Sequence, residues 1–329
     1  MTHSRLGVGR THPERRALGP QAAGPGRDGM ASMVADIRDI IFVNAADVYA
    51  LNFIRPPGAF ILRRHYLQGL RSHIMEVLAA RDVALEKTGV VSDGITWFPR
   101  ARPKWMLRIF RTKFRGRSDA FEELGRVEVI GRYLGPQLHA RSNEFLVSYR
   151  YDGKSDILLC GLQEYVEGLP IEPWKGFLNA ERLVDNLVRP GVGGKSPSGL
   201  DRDTLKRIIE GNAATFCRAV KRMIDETGLI PDLAGEGNLI LTDQGDIKLV
   251  DINNISTIRW DHRIALDDKG YPVCDKSVEA LSELERHLAG RSPAPSDALY
   301  QTFLDPGRMA DVAALEKEFH QRHRRHRDG

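Results

Sequence analysis

At 329 residues, with 42% hydrophobic residues and a formal charge of +4, the chain has the composition of an ordinary folded protein and can bury a sizeable core. Much of the positive charge sits at the ends: five Arg against Glu14 in residues 1–27, and Arg322, Arg324, Arg325 and Arg327 against Asp328. Removing both ends leaves 39 basic and 42 acidic residues, which argues against nucleic acid as a partner. No run of 18 apolar residues suggests a transmembrane helix, no apolar h-region suggests a secretory signal, and Cys160, Cys217 and Cys274 lack metal-site or disulfide spacing, so a cytoplasmic, reduced protein is expected.

In chain order, residues 1–33 are rich in Arg, Gly and Pro and are expected to form a disordered leader, or to precede a true start at Met30 or Met33. Tyr66, Leu67, Leu70, Ile74, Val77 and Leu78 recur at helical spacing, predicting an amphipathic helix over 62–82. Thr96–Phe98 and Trp105–Phe110 read as strands. Ser118–Leu134 reads as a helix with Ser118 as N-cap, acidic residues in its first turns and Gly135-Pro136 at its end. Phe145–Tyr151 and Ile157–Gln163 are predicted strands around the turn Asp152–Ser155. Beyond Gly168 the pattern turns helical: Arg202–Glu226, stopped by Gly228, then Val278–Leu288 and Val312–His323. Tyr271–Lys276 reads as a turn before the first of these last two helices. The expected class is α+β, with a strand-rich N-terminal lobe with a helical extension (34–166) and a helical C-terminal lobe (167–329).

The segment Ile230–Asn254 reads IPDLAGEGNLILTDQGDIKLVDINN. Two apolar runs, Leu239–Leu241 and Ile247–Val250, flank the turn Asp243-Gln244-Gly245, so a hairpin is predicted. Hairpin closure returns Asn238 and Asp251 to the same place, with Asp232 just upstream. One carboxylate and one amide oxygen suit Mg²⁺, which prefers hard oxygen ligands and retains waters. Asn253 and Asn254 read as caps of the turn after Asp251. Gly191–Ser196, GVGGKS, lacks the first Gly and the leading strand of a P-loop and reads as a flexible loop.

This arrangement resembles the protein-kinase-like superfamily, which includes protein kinases, aminoglycoside and choline phosphotransferases and YrbL-like bacterial proteins; the likeness covers roughly residues 95–290. It implies a two-lobed kinase-like fold in which Asp232 accepts or orients the acceptor hydroxyl proton while Asn238 and Asp251 hold Mg²⁺ on ATP. Ile157–Gly168, ILLCGLQEYVEG, resembles the hinge between lobes, with backbone groups at Glu164 and Val166 toward adenine. Such kinases pair a strand Lys with a helix Glu. Here the resemblance gives Arg108, with Lys104 or Lys113 as alternatives, and Glu123 or Glu128, while Gly89–Gly94 is the nearest match to the phosphate loop.

Several features depart from the family pattern. Asp232 to Asn238 is one residue longer than the usual spacing, no His-Arg precedes Asp232, and Ile-Asn replaces Phe-Gly after Asp251. Only 78 residues follow Asp251, without an Ala-Pro-Glu motif. The implied activity is therefore an ATP/Mg-dependent phosphotransfer to a small-molecule or glycan hydroxyl, with a pseudokinase, a nucleotide-binding or regulatory module without turnover, as the alternative.

Overall fold

The computed structural model describes residues 35–325 except 56–57, 70, 175–178, 189–197, 262, 292–293 and 295, with no side chains described for 323–325. The expected leader and Gly191–Ser196 lie outside the described residues. The chain is of mixed α/β composition, with strands concentrated before residue 165 and helices after it. Among the described residues no helix is long and apolar enough to cross a membrane.

After the short helix α1 (Ala45–Tyr49), the N-terminal part builds β1 (Phe60–Arg64), β2 (Ser72–Ala79), α2 (Ala80–Thr88), a small hairpin of β3 (Val90–Ser92) and β4 (Ile95–Trp97), and then β5 (Pro103–Phe110), α3 (Arg117–Leu138), β6 (Ser142–Tyr151) and β7 (Lys154–Glu164). Five of these strands form one antiparallel sheet in the order β1-β2-β5-β7-β6. The helix predicted over 62–82 is therefore replaced by β1, a loop and β2. The reason is burial: β2 is a central strand, and residues on both of its faces are buried or half-buried. Continuous burial then hides the period of two, and the apolar spacing mimics a helix.

One sheet face packs Met75, Leu107, Ile109, Leu158 and Cys160 against Ile37, Val43, Val48 and Leu51 from the segment preceding β1. The opposite face carries a cross-strand row of Ile74, Arg108, Gly161 and Glu144, set by the registers of β2, β5, β7 and β6. Alternation along β5 separates these roles, so Arg108 faces away from the core that Leu107 and Ile109 fill. The β6–β7 hairpin turns through Asp152 and Gly153, both at positive φ, as the right-handed twist of the strands demands.

Helix α3 starts one residue before the predicted Ser118, with Gly116 at the N-cap position, and Gly135 breaks it at φ 62° before a last turn. Its Ile130, Leu134 and Leu138 join the second core, so α3 belongs by packing to both parts. That second part comprises β8 (Leu169–Ile171), α4 (Ala180–Leu187), α5 (Arg202–Thr227), β9 (Leu229–Pro231), β10 (Leu239–Leu241), β11 (Ile247–Leu249), β12 (Ile255–Thr257), α6 (Val273–Glu283), α7 (Ala298–Phe303) and α8 (Pro306–Arg325). Asp201 caps α5 by accepting from Thr204 N at 2.9 Å, and Gly228 ends it in the left-handed region. Phe216, Val220 and Met223 of α5 join the core that also holds Val278 and Leu281 of α6, as the apolar stripe predicts. Helix α6 begins at Val273, so the turn expected at 271–276 shrinks to its first residues. The three thiols are free and buried, and burial pushes each up to about 12, which leaves them unreactive at neutral pH.

Candidate active site

Four strand ends converge at one place. The β10–β11 hairpin pairs Leu239 with Leu249, and β9 pairs with β12, Pro231 opposite Ile255. Asp232 directly follows β9, Asn238 directly precedes β10, Asp251 lies just past β11 and Asn254 directly precedes β12. The predicted trio is thus brought together, and Asn254 joins it.

The loop from Asp232 to Asn238 closes on itself despite its extra residue. Asp232 Oδ1 accepts from the backbone N–H of Ala234 (2.9 Å) and Gly235 (3.1 Å), while Asn238 Nδ2 donates to the Asp232 carbonyl at 3.0 Å. A Cβ on Gly235 would lie 2.4 Å from Asn238 Nδ2, so only glycine lets the amide lie across this loop. From α6, Ser277 Oγ accepts from Leu233 N at 3.1 Å and anchors the loop to the core.

Asn253 and Asn254 do more than cap a turn. Asn254 Nδ2 donates to Asp232 Oδ2 at 2.7 Å, and Asn253 Oδ1 accepts from Arg108 Nη1 at 2.8 Å. Arg108 Nη2 donates to Asp251 Oδ1 at 2.7 Å. The strand cation is therefore held by the loop after β11. Glu123, on the second turn of α3, lines the same cleft, but the cations acting on its carboxyl are Arg126 and Arg71 rather than Arg108, so the expected Arg108–Glu123 pair is not formed. Lys104 lies 3.8 Å from Asp82, and Lys113 lies 2.7 Å from Asp39; neither lines the cleft.

The cleft has two connected parts that share Arg108, Asn238 and Asp251. One, of about 200 Å³, is lined by Met106, Ile240 and the connector Glu164–Val166; the other, of about 360 Å³, holds Asp232, Asn253 and Asn254. Gly168 enters β8 so close to β10 that a Cβ would lie 2.1 Å from the Leu241 carbonyl oxygen, which fixes the path of the connector. Within the connector, Glu164 N–H is already donated to the Arg141 carbonyl at 2.8 Å, and its carboxylate is paired with Lys248 and Arg141. The Glu164 N–H is thus already engaged, while Glu164, Tyr165 and Val166 all line this part of the cleft.

The loop over the cleft is also different from the one expected. Gly89–Gly94 belongs to the exposed β3–β4 hairpin and lines neither part. The β1–β2 loop takes that position with Leu67, Gln68 and Gly69, and the Gln68 side chain stitches it to β2 by accepting from Ile74 N at 3.0 Å and donating to Ile74 O at 2.9 Å. Arg71 reaches Asp267 and Asp268 across the polar end of the cleft. Sequence alone offered little sign of this loop beyond Gly69, whereas two consecutive amides after Asp251 were a signal for Asn253 and Asn254.

Asp232 is 6% exposed, and burial, followed by the charge of Asp251, pushes its carboxyl up to about 6. Such a group takes up a proton near neutrality better than an exposed Asp does. Glu144 lies on the same sheet face as Arg108, and burial raises its carboxyl, with the Arg108 charge acting against the shift. Among the described residues no group of three or more His, Cys, Asp or Glu could hold a metal. A larger open groove of about 950 Å³, between α3 and α5, holds none of the predicted site residues. No protein-family model matches the chain, and no curated protein matches it.

Proposed function

We propose that the chain is an ATP- and Mg²⁺-dependent phosphotransferase of protein-kinase-like, two-lobed fold that acts on a hydroxyl of a small molecule or glycan. The observation that carries this reading is the convergence of Asp232, Asn238, Asp251 and Arg108 in one cleft whose other end is the β7–β8 connector. The order of parts supports it: protein kinases place a loop over the phosphates, a cation on the third strand and the metal ligands in the loops beyond the hinge. Here Gln68 and Gly69 lie in the covering loop, and Arg108 lies on the third strand, in chain order, of the five-stranded sheet.

The donors fit Mg²⁺. Asn238 Nδ2 is engaged with the Asp232 carbonyl, which leaves Oδ1 as the amide's ligand atom, and Asp251 retains Oδ2 while Oδ1 accepts from Arg108. One carboxylate, one amide oxygen, phosphates and waters complete the coordination this ion favours. Bound there, Mg²⁺ supplies charge neutralisation for the transferring phosphoryl group. In the transfer, the acceptor oxygen forms the new P–O bond, the bond to the leaving diphosphate breaks, and the hydroxyl proton passes to Asp232. Arg108, on the opposite side of Asp251, supplies a fixed positive charge toward the phosphates.

Binding of ATP measured with and without Mg²⁺, for wild type and Asp251→Ala, tests the reading. Tighter binding with Mg²⁺ that disappears in the variant is expected; equally weak binding throughout overturns it. A second reading, a nucleotide-binding module without turnover, is favoured by Arg108 standing where Lys is usual and engaging Asp251. Phosphate release or transfer that is lost in Asp232→Ala eliminates that reading.

A further inference from the structure

Strands β2 and β5 are antiparallel neighbours, and a turn of roughly two to five residues commonly joins such a pair. Here residues 80–102 intervene, as α2 and the β3–β4 hairpin. The hairpin is tightly made: Val90 pairs with Trp97 and Ser92 with Ile95, around Asp93 and Gly94, both at positive φ as a two-residue turn requires. Among the described residues its strands pair only with each other. At Gly89, with φ 74°, a Cβ would lie 3.2 Å from the Phe98 ring, so glycine lets that ring lie across the base of the hairpin.

Both faces of this hairpin are open to solvent. Val90, Ile95 and Trp97 share one face by alternation and Val91 stands on the other; with Phe98, just past β4, all are exposed, Val91 at 72%, Trp97 at 60% and Phe98 at 65%. A two-stranded hairpin alone in water is marginal, and this one leaves its apolar surface wet. The stretch 80–105 also carries Arg81, Lys87, Arg100, Arg102 and Lys104 against Asp82, Glu86 and Asp93. Glu86 is taken up by Arg63, Arg102 reaches Glu167 at 2.8 Å, and Asp82 lies 3.4 Å from Arg81 and 3.8 Å from Lys104. The cations in these last pairs have exposed side chains, so the pairs are weak and open to a competing anion. Five basic residues against three acidic ones make the patch locally positive on a body that carries 39 basic and 42 acidic residues.

We infer that the β3–β4 hairpin docks the protein on an anionic lipid surface, with Val91, Trp97 and Phe98 entering the headgroup boundary and the surrounding cations meeting the headgroups. Exposed Trp and Phe beside Arg and Lys are the pairing such a boundary favours, because apolar burial and charge attraction act together there. A second copy of the chain is the competing occupant, since the hairpin edges are unpaired. Hairpin against hairpin, however, would set the same positive patch against itself, whereas an anionic surface complements it. Docking of this kind is independent of what the cleft catalyses.

The test uses the full chain and vesicles of phosphatidylcholine with or without phosphatidylglycerol, binding being read by co-sedimentation and by tryptophan fluorescence. Wild type is expected to bind the anionic vesicles with a blue-shifted emission, and to bind about tenfold more weakly in high salt or on the neutral vesicles. The double variant Trp97→Ser, Phe98→Ser should lose about tenfold or more, and because both side chains are exposed its thermal unfolding should match wild type. Lys87→Gln should lose about fivefold at low salt. Trp97→Phe should keep the binding but lose most of the blue shift, a change that a purely structural role would not produce. Double-variant binding as tight as wild type assigns the attraction to the Arg-rich ends and overturns the docking role, as does an undiminished blue shift in Trp97→Phe. Equal binding to both kinds of vesicle, or binding to neither, overturns the anionic lipid surface. A wild-type dimer in sedimentation equilibrium that the double variant dissociates makes a second copy the occupant and overturns the inference as well.

Discussion

Arg108 Nη2 donates to Asp251 Oδ1 at 2.7 Å, joining the middle of the five-stranded sheet to the loop after β11 across 143 positions of chain. The guanidinium is buried and the carboxylate side chain is 31% exposed, so the contact is partly desolvated and charge-assisted. The pair also connects the two parts of the molecule at the point where the cleft changes from apolar to polar.

Removing Arg108 should be felt in stability as well as in binding. Arg108→Ala leaves Asp251 and Asn253 without their partner and is expected to cost about 2–3 kcal/mol in denaturant unfolding, since loss of one member strands the other. Arg108→Lys keeps a charge but cannot engage both groups through a fork, and about half that cost is expected. Losses below about 0.5 kcal/mol for both variants would contradict the contact.

The raised carboxyl of Asp232 predicts an acid limb. A protonated Asp232 cannot take the acceptor proton, so the transfer rate should fall as pH drops through about 6. The Asp251 charge is the second cause of the shift, after burial, so a cation at Asp251 should move the limb to lower pH. A rate that does not fall on the acid side down to about pH 4 would exclude Asp232 as the base.

The same shift has a stability consequence of definite sign. The folded-state value lies above that of the unfolded chain, so between about pH 4 and 6 the folded state binds more protons and stability declines as pH rises, levelling off above about 6. The full decline is about 3 kcal/mol by linkage. Asp232→Asn should abolish it, gaining on wild type at pH 8 relative to pH 4 in parallel denaturation curves.

Asn254→Ala removes a hydrogen bond that favours the ionised form of Asp232. The carboxyl should rise further, and the acid limb should move to higher pH. A limb unchanged or shifted downward in the pH–rate profile would show that the bond is not felt by the carboxylate.

Two glycines separate loop geometry from folding. Gly235→Ala drives a methyl group into the Asn238 amide, the end of a side chain, and should weaken the Mg²⁺ dependence of nucleotide binding at a cost of about 1–3 kcal/mol in stability. Gly168→Ala meets the Leu241 backbone carbonyl, which cannot turn aside, and should cost more than Gly235→Ala in thermal unfolding.

Local signals were read well where chemistry at one position decides the outcome. Asp152-Gly153 and Asp243-Gln244-Gly245 specify tight turns, Gly228 ends α5, and the apolar stripe of α5 faces the core. β2 escaped because burial on both faces erases the alternation that marks a strand. The α6 boundary was missed because its first turns carry Asp275, Lys276 and Ser277, polar residues that are buried here and that interrupt the apolar spacing in the sequence.

The sequence by itself determined the α+β order and the hairpin that gathers Asp232, Asn238 and Asp251, because turn residues and short-range pairing bring them together within 20 positions of chain. Which cation meets that hairpin was decided only by tertiary structure. The register of β5 between β2 and β7 aims Arg108 at the cleft, and the burial of Ile252 turns Asp251 and Asn253 to receive it. Glu123, the partner that a strand-and-helix pattern suggested, stays apart because α3 is fixed by Ile130, Leu134 and Leu138 in the core of the helical part, a constraint set by packing at long range.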